Sequence, residues 1–289
     1  MIFDTHTHYD EDAFSEDRDR ILMGLAAERV GAVTNIGASL QGAKDSLALA
    51  QRYPFVYAAV GVHPDHVGEL TEERIALLDA MAKEDKVVAI GEIGLDYYWE
   101  VSERQTQKYW FERQLKLALS NRLPVVIHSR DAAADTLELI KEYWKVSEGT
   151  LRGVIHCFSY GPELAREYLQ MGFFLGIGGV ATFKNGKKLK EVLAEVPLER
   201  IVLETDCPYL APEPFRGSRN TSALLPYVVT AIAGQKQVTE AEVEQQTWQN
   251  ALQLYSLFEE NGQLQKHRNS TEAVERGENG STGKSAKYH

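Results

Sequence analysis

The sequence predicts an α/β fold, a (β/α)8 TIM barrel, and three observations support this prediction. Eight apolar segments rich in β-branched residues have the character of buried parallel strands, and stretches with helical spacing lie between most of them. The eight units occupy roughly 260 residues, which is a usual length for such a barrel. A doubly wound open sheet is the alternative, but it would usually have a glycine-rich phosphate turn after an early strand, and the sequence contains none.

The elements are predicted in order along the chain. The first strand contains Ile2-Phe3-Asp4 and leads into His6-Thr7-His8. The remaining strands are expected at residues 31–37, 55–64, 87–96, 123–129, 153–159, 173–179 and 201–208. Helices are expected at residues 15–30, 71–84, 105–121, 131–144, 162–171 and 187–196. A last helix is predicted at residues 239–258, where Thr239 and Glu242 have the spacing of a capping box.

One domain is expected over residues 1–261, followed by a polar tail over residues 262–289. The tail contains almost no apolar residues, so it is predicted to be disordered and to contribute nothing to a site.

Polar side chains occur where several predicted strands end, and in a barrel these ends converge on one mouth. His6 and His8 alternate along a strand and therefore project to one face. Each candidate has a simpler explanation, because His128 alone suits a hydrogen-bonded structural role and Asp206 alone suits a turn cap. Glu92 lies in an apolar run and requires a cation, a metal or a raised pKa. Their joint occurrence favours a metal site. The candidate ligands are His6, His8, Glu92, His128, His156 and Asp206.

Six ligands are too many for one open catalytic ion, which usually takes three from the protein. Two divalent ions bridged by Glu92 would use all six, and a pair of ions suits in-line displacement at phosphorus. The metal itself stays open among Zn, Mg, Mn, Ni and Fe.

Six motifs occur in order along residues 1–260: Asp4-Thr5-His6-Thr7-His8, Gly61-Val62-His63-Pro64, Gly91-Glu92-Ile93-Gly94-Leu95-Asp96-Tyr97, His128-Ser129-Arg130-Asp131-Ala132, His156-Cys157-Phe158-Ser159 and Glu204-Thr205-Asp206-Cys207-Pro208-Tyr209-Leu210. Together they resemble the TatD-type metal-dependent deoxyribonucleases of the amidohydrolase superfamily. The resemblance implies a 3′ to 5′ exonuclease on DNA that depends on divalent metal. It also implies that His6, His8, Glu92 and Asp206 hold one ion, that Glu92, His128 and His156 hold the other, and that Asp206 orients or deprotonates the attacking water.

Substrate contacts are expected beside these ligands. Four cations near strand ends suit phosphate oxygens, although solvated loop charges are the equal alternative: Arg130, Lys184, Arg216 and Arg219. Three aromatic residues beside the ligands suit stacking on an unpaired base, with packing at the rim as the alternative: Tyr97, Tyr98 and Phe158. His63 is assigned to substrate contact, with a structural histidine as the equal alternative.

The loop that ends in Arg219-Asn220 is expected to contact substrate, and Asn220 is included in that set. The resemblance predicts Glu-Pro after Asn220, but this chain has Thr221-Ser222, so the shape of that loop is open.

Composition limits the partners. The net charge of −11 argues against extensive binding to a duplex backbone, so recognition is expected at a single-stranded or frayed 3′ end of DNA. Cys157 and Cys207 are predicted to pack in the barrel wall. No signal peptide or membrane span is evident, which favours a cytoplasmic protein, and a monomer is favoured.

Two other functions stay open at this stage. The same metals would suit another ester or amide, such as a D-aminoacyl-tRNA or a small cyclic amide. A non-catalytic metal-binding scaffold is the third reading, although such proteins usually lose a ligand and this chain keeps all six candidates. A fold shared by many chemistries does not separate these functions.

Overall fold

The computed structural model describes residues 1–99 and 101–267. Its eight parallel strands pair in chain order as a single sheet, which confirms the predicted barrel. The sheet strands are β1 Ile2–Thr7, β2 Val30–Ile36, β3 Val56–Val60, β4 Val87–Asp96, β5 Val125–Arg130, β6 Gly153–Ile155, β7 Phe174–Ile177 and β8 Ile201–Leu203.

The last strand returns to the first beside the carboxyl ends of both. A parallel bridge joins Thr7 to Cys207, and the backbone N–H of His8 donates to the carbonyl of Cys207 at 2.9 Å. The N–H of Asp206 donates to the carbonyl of His6 at 3.0 Å. The barrel is therefore closed by the two segments that contain candidate ligands.

Helices cover the outside of the sheet and one end of it. The helices are α1 Arg18–Gly24, α2 Leu40–Arg52, α3 Glu72–Ala82, α4 Arg104–Asn121, α5 Ala133–Val146, α6 Pro162–Gln170, α7 Lys187–Glu195, α8 Leu225–Lys236 and α9 Glu240–Tyr255. Short 3-10 helices lie at Asp12–Phe14, Leu25–Glu28, Pro64–Glu69, Gly179–Thr182, Leu198–Arg200 and Ser222–Leu224.

Two helices were not among the predicted ones, and one predicted helix is broken. Helix α2 begins after Ser39, whose hydroxyl accepts from the N–H of Gly42 at 3.0 Å, but several of its buried positions are alanine or glycine and give a weak apolar pattern. Helix α8 is the other. The helix predicted at residues 15–30 is reduced to α1 and a 3-10 turn, and it ends where Arg29 adopts a left-handed φ of 65°.

The carboxyl-terminal helix has the predicted capping box. Thr239 accepts from the N–H of Glu242, and the Glu242 carboxylate accepts from the N–H of Thr239 at 2.8 Å. The helix ends at Tyr255, and a hairpin follows, with strands β9 Leu257–Glu260 and β10 Gln263–Lys266. The boundary predicted at residue 262 is therefore wrong for residues 263–266, which pair with β9. The rest of the predicted tail, residues 268–289, lies outside the described residues.

Two apolar clusters form the core. The larger lies between the strands and the surrounding helices and includes Phe111, Ile140 and Leu193. The smaller joins alternate strand residues such as Phe3 and Val126 to the end of α9. Apolar packing therefore fixes both faces of each strand and holds the carboxyl ends of the strands in place. No helix in the described part of the chain is both long and apolar enough to cross a membrane.

Candidate metal centre

Imidazoles and carboxylates from five barrel strands and the segments that follow them meet at one mouth. Strand β1 presents His6 and His8, whose Nε2 atoms lie 3.1 Å apart. Strand β4 presents Glu92, strand β5 presents His128, and His156 follows β6 directly. The structure therefore brings together the imidazoles that were chosen from the sequence on the basis of strand ends.

Glu92 lies at the centre of the cluster, and its two oxygens face different imidazoles. Its Oε2 lies 3.3 Å from Nε2 of His6 and 3.8 Å from Nε2 of His8. Its Oε1 lies 2.9 Å from Nδ1 of His128, 3.7 Å from Nε2 of His156 and 3.9 Å from Nε2 of His63. One carboxylate thus lies between two groups of donors.

Asp206 completes the side of the cluster that contains His6. It follows β8 in a left-handed conformation with φ of 56°. Its Oδ1 lies 3.4 Å from Nε2 of His8, 3.7 Å from Nε2 of His6 and 3.8 Å from Nε2 of His156. The Asp206 side chain is 19% exposed, whereas that of His6 is fully buried, so Asp206 is accessible from the mouth.

The contacts of His156 and His63 differ from those that the resemblance implied. His156 is about as close to Asp206 as to Glu92, and the ring of His156 stacks on that of His6 with centroids 3.6 Å apart. His63, expected to contact substrate, instead joins Glu92 and His128 as a possible ligand group. Among the described residues, four further sets of three side chains could hold an ion: His6, His156 and Asp206; His6, His8 and Glu92; His156, Cys157 and Glu204; and His63, Asp65 and Asp96.

Further acceptors hold the far nitrogens of the imidazoles. Oε1 of Glu204 lies 3.2 Å from Nδ1 of His156, and Oδ2 of Asp96 lies 3.0 Å from Nε2 of His128. Nδ1 of His8 lies 3.0 Å from the carbonyl of Ile36. Imidazoles that bind metals are usually oriented in this way through their other nitrogen.

Sequence reasoning did not assign roles to Glu204 and Asp96, although a signal was present. Strand alternation places residues i, i+2 and i+4 on one face, and this relates Asp96 to Glu92 within β4. For Glu204 the signal was a carboxylate directly after the apolar strand β8. Both carboxylates are almost fully buried, and burying a carboxylate in an apolar barrel costs too much free energy unless it has a partner.

Gly176 on β7 makes room for one of these carboxylates. A Cβ atom built on Gly176 would lie 2.2 Å from Oε2 of Glu204, so any side chain there would displace it. The glycine therefore allows Glu204 to lie beneath His156.

The cluster shifts the pKa values of its members. Burial lowers the pKa of His8, His128 and His156, but neighbouring carboxylates outweigh it and raise these pKa values to about 9, 9 and 10. Burial lowers the pKa of His63 to about 3, with the charge of His128 adding to the effect. Burial raises the pKa of Glu92, yet the charges of His156 and His6 hold that pKa well below its usual value.

The donor set fits divalent metal ions. The Nε2 atoms of His6 and His8 converge on Glu92 and Asp206 from 3.3 to 3.8 Å, which is a separation typical of ligands that surround a common point rather than of hydrogen bonds. Imidazole with carboxylate is a donor combination that suits Zn, Mn, Fe and Ni.

Several residues expected to contact substrate have other roles. Phe158 is buried in the larger apolar cluster, so it is not available to stack on a base. Tyr97 donates its hydroxyl to Asp135 at 2.6 Å and packs under Arg104, at 4.3 Å from ring centroid to guanidinium. The packing alternative therefore holds for both aromatic residues.

The loop after β8 also differs from expectation. Arg219 forms a bidentate ion pair with Asp17, with N–O distances of 2.9 and 2.7 Å. Asn220 is buried and donates to the carbonyls of Thr205 and Tyr209 at 2.9 and 2.8 Å. Both residues brace the loop and do not face the cluster. The cations Arg130, Lys184 and Arg216 are exposed.

The Thr221-Ser222 departure has a structural explanation. The Ser222 hydroxyl donates to Oδ2 of Asp4 at 2.6 Å, and the Ser222 N–H donates to the hydroxyl of Tyr9 at 3.0 Å. Asp4 also accepts from Thr205 N–H at 3.0 Å. Ser222 therefore ties the loop to β1 beneath the metal centre.

The two cysteines differ from each other. Cys207 is fully buried in the apolar core, as predicted. Cys157 is partly exposed and adopts a left-handed φ of 45°, because β6 has already ended and strand alternation no longer applies. The prediction of wall packing is therefore wrong for Cys157.

Comparison with known proteins agrees with this geometry. The model of the family described as TatD related DNase matches residues 3–256. The metal-dependent hydrolase YabD of Bacillus subtilis, named as uncharacterized, is 40% identical over 257 residues, which cover 89% of this chain and all of that protein.

A second relative and a solved structure extend the comparison. The 3′-5′ ssDNA/RNA exonuclease TatD of Cronobacter turicensis is 35% identical over 259 residues, covering 88% of this chain and 97% of the relative. The crystal structure of YjjV, a TatD homologue from Escherichia coli K12, superposes with a TM-score of 0.82 at 30% identity and covers 88% of this chain and 97% of that one. The chain therefore belongs to the TatD related DNase family, as a metal-dependent hydrolase.

Proposed function

We propose that this protein is a 3′ to 5′ exonuclease that removes nucleotides from single-stranded ends of DNA, with two divalent ions held on either side of Glu92. The observation that carries the proposal is the division of donors between the two oxygens of Glu92. A bridging carboxylate with nitrogen donors on both sides is suited to a pair of ions about 3.5 to 4 Å apart. The exonuclease named above, 35% identical, supports the choice of substrate.

The ligands divide into two sets. His6, His8 and Asp206 would hold one ion through the Oε2 side of Glu92. His128 and His63 would hold the other through the Oε1 side. His156 lies between the sets and would complete whichever is short of a donor.

Divalent ions at such a site ionise water near neutral pH and stabilise charge on a phosphodiester in the transition state. Asp206 would orient the attacking water and accept its proton. Burial raises the pKa of Asp206, but the imidazoles of His156, His8 and His6 outweigh it and keep that pKa below its usual value, so the group is a carboxylate at neutral pH. Its exposure to the mouth allows it to reach a substrate.

Three exposed cations would bind phosphate oxygens beside the metals: Arg130, Lys184 and Arg216. The overall charge of −11 opposes long contacts with a duplex. A strand end that enters the mouth requires only these few contacts, which favours an exonuclease over a protein that coats DNA.

The test is hydrolysis of a single-stranded DNA that carries a 5′ label, by protein stripped of metal and then given Mg, Mn or Zn. The expected product is a ladder that shortens from the 3′ end only with metal. Asp206→Asn should lower kcat at least about a hundredfold, because it removes the proton acceptor. Asp79→Asn is the matched control, since Asp79 lies on α3 and pairs there with Lys83.

Two results would contradict the proposal. Full activity in Asp206→Asn would show that Asp206 is not the group that accepts the proton of the attacking water. No cleavage by metal-loaded wild type would reject DNA as the substrate and direct a screen towards other esters and amides.

A further inference from the structure

The loop that connects β4 to α4 exposes two large aromatic side chains at the rim of the mouth. Tyr98 is 53% exposed and Trp99 is 59% exposed. Their rings meet edge to face with centroids 4.8 Å apart. Large aromatic groups usually bury most of their surface, so an exposed pair beside a catalytic mouth suggests a surface for a ligand.

This pair is fixed to the metal centre through one carboxylate. Oδ1 of Asp96 accepts from the N–H groups of Tyr98 and Trp99 at 2.8 and 3.0 Å. Oδ2 of the same carboxylate lies 3.0 Å from Nε2 of His128. The aromatic pair is therefore positioned by the residue that also orients a candidate ligand.

A cation lies against the same pair. The guanidinium of Arg130 lies 3.9 Å from the ring centroid of Tyr98 and 5.5 Å from that of Trp99. Arg130 is paired across the sheet with Asp96, and it follows His128 by two residues on β5, so both point to the same face of the strand. Among residues 1–99 and 101–267 no carboxylate forms an ion pair with Arg130.

The geometry points to a subsite in which the ring of Trp99, held edge to face by Tyr98, stacks on an unpaired base near the 3′ end of a single strand while Arg130 binds an adjacent phosphate. The inference rests on the proposed exonuclease function and adds the means by which it selects single strands. An aromatic face accepts any base, so the subsite gives affinity without sequence preference. A base in the interior of a duplex has both faces covered by its neighbours and is not available to this subsite.

Trp99 is the residue to change, because its exposed ring contributes little to the core. Trp99→Leu should raise KM for single-stranded oligothymidylate about tenfold and leave kcat unchanged, since stacking on one base is worth that order of affinity. Trp99→Phe, which keeps an aromatic face, should restore most of the lost affinity. Tyr109→Leu is the matched control, because Tyr109 is 51% exposed and meets Trp110 edge to face on α4.

A matched substrate separates stacking from general contact. 5,6-Dihydrothymine keeps the hydrogen-bonding groups of thymine but has a puckered, saturated ring. Placed at the 3′-terminal residues, it should raise KM for wild type, and Trp99→Leu should add no further increase on that strand. Equal KM values for wild type and Trp99→Leu on the thymine strand, with hydrolysis intact, would overturn the subsite and leave the exonuclease function standing.

Binding measured by fluorescence anisotropy of a labelled oligothymidylate distinguishes the two failures. If wild type cleaves neither strand but binds one with an affinity that Trp99→Leu lowers about tenfold, the exonuclease function fails and the subsite stands. If no cleavage is found and binding does not depend on Trp99, both are rejected.

Discussion

Glu204 lies behind the candidate metal centre and orients one of its imidazoles. It is almost fully buried, its Oε1 accepts from the N–H of Cys157, and the same oxygen lies 3.2 Å from Nδ1 of His156. A carboxylate in this position fixes the ring and directs Nε2 towards Glu92 and Asp206. Glu204 therefore sets the orientation of His156 from the side of the ring opposite Glu92 and Asp206.

Glu204→Gln should weaken metal binding by about 10- to 100-fold, the usual cost of losing the group that orients a ligand. Excess metal should restore kcat, because the ligands themselves are unchanged. A metal titration of activity measures both effects. Glu244→Gln is the control, since Glu244 is also buried but pairs with the amino terminus and Arg29 away from the mouth. Equal metal affinity in the two variants would show that Glu204 does not orient His156.

Five of the six candidate ligands were predictable because residue type and strand end coincide in the sequence, and Glu92, which lies within β4, was predictable because it is a carboxylate in an apolar run. The roles of Arg219 and Asn220 were not, because both depend on partners that the sequence does not place nearby. Arg219 pairs with Asp17, about two hundred positions earlier. Residues so far apart along the chain are brought together only by the folded barrel, so the sequence around each of them gives no sign of the pair.

Helix α9 is an element whose start was evident in the sequence, although it ends at Tyr255 and the predicted end at residue 258 lies in β9. Thr239 and Glu242 satisfy each other's backbone N–H groups, and Asn250 within the helix donates to the carbonyls of Leu198 and Ile201 at 2.8 and 2.7 Å. The helix thereby fixes the start of β8, the strand that leads to Asp206. Its stability and the position of a ligand are linked.

Thr239→Ala should lower the free energy of unfolding by about 1 kcal/mol, since one helix-end donor loses its partner. Urea denaturation of metal-free protein measures the loss. Thr239→Ser, which keeps the hydroxyl, should be close to wild type. A destabilisation shared equally by the two variants would mean that the capping hydrogen bond is not its cause.

Elements with strong periodicity and marked ends were predicted, whereas those with weak patterns were not. Helix α2 relies on small residues such as Ala43 and Ala50 against the sheet, and α8 is apolar over much of its length. Strand β10 has mostly polar side chains, and its pairing with β9 is set by backbone hydrogen bonds. Its polar composition therefore suggested a tail.

At the scale of the whole molecule, charge limits how substrate is held. The protein carries −11 overall, and three exposed cations are assigned to phosphate: Arg130, Lys184 and Arg216. Nucleic-acid affinity should therefore depend weakly on salt.

The logarithm of the association constant for single-stranded DNA should fall with the logarithm of salt concentration with a slope of about −2, from three contacts at about 0.7 each. Anisotropy titrations of metal-free protein over a series of KCl concentrations give the slope. Arg216→Gln should reduce its magnitude by a little under one. A steep slope in wild type would indicate a basic surface that this assignment omits.

Metal affinity should depend on pH, because three imidazoles at the mouth of the barrel bind protons. His8, His128 and His156 have pKa values raised to about 9, 9 and 10, so near neutral pH they hold protons that a metal must displace. Metal affinity should rise as pH increases from 6 to 9. The same groups should stabilise the metal-free fold fully below about pH 6.5 and lose that contribution as pH rises through 9 to 10.

Calorimetric titration with Zn in buffers of different ionisation enthalpy counts the protons released. More than one proton per protein is expected at pH 7, and thermal unfolding of metal-free protein should show the opposite pH trend. Release of no proton would mean that these imidazoles are already neutral before metal arrives.

The bridge between Thr7 and Cys207 has a consequence for synthesis of the chain. Asp206 follows His6 and His8 by about two hundred residues along the chain, and the donors meet only when β8 closes on β1. A nascent chain or a fragment that ends before β8 therefore lacks a complete centre.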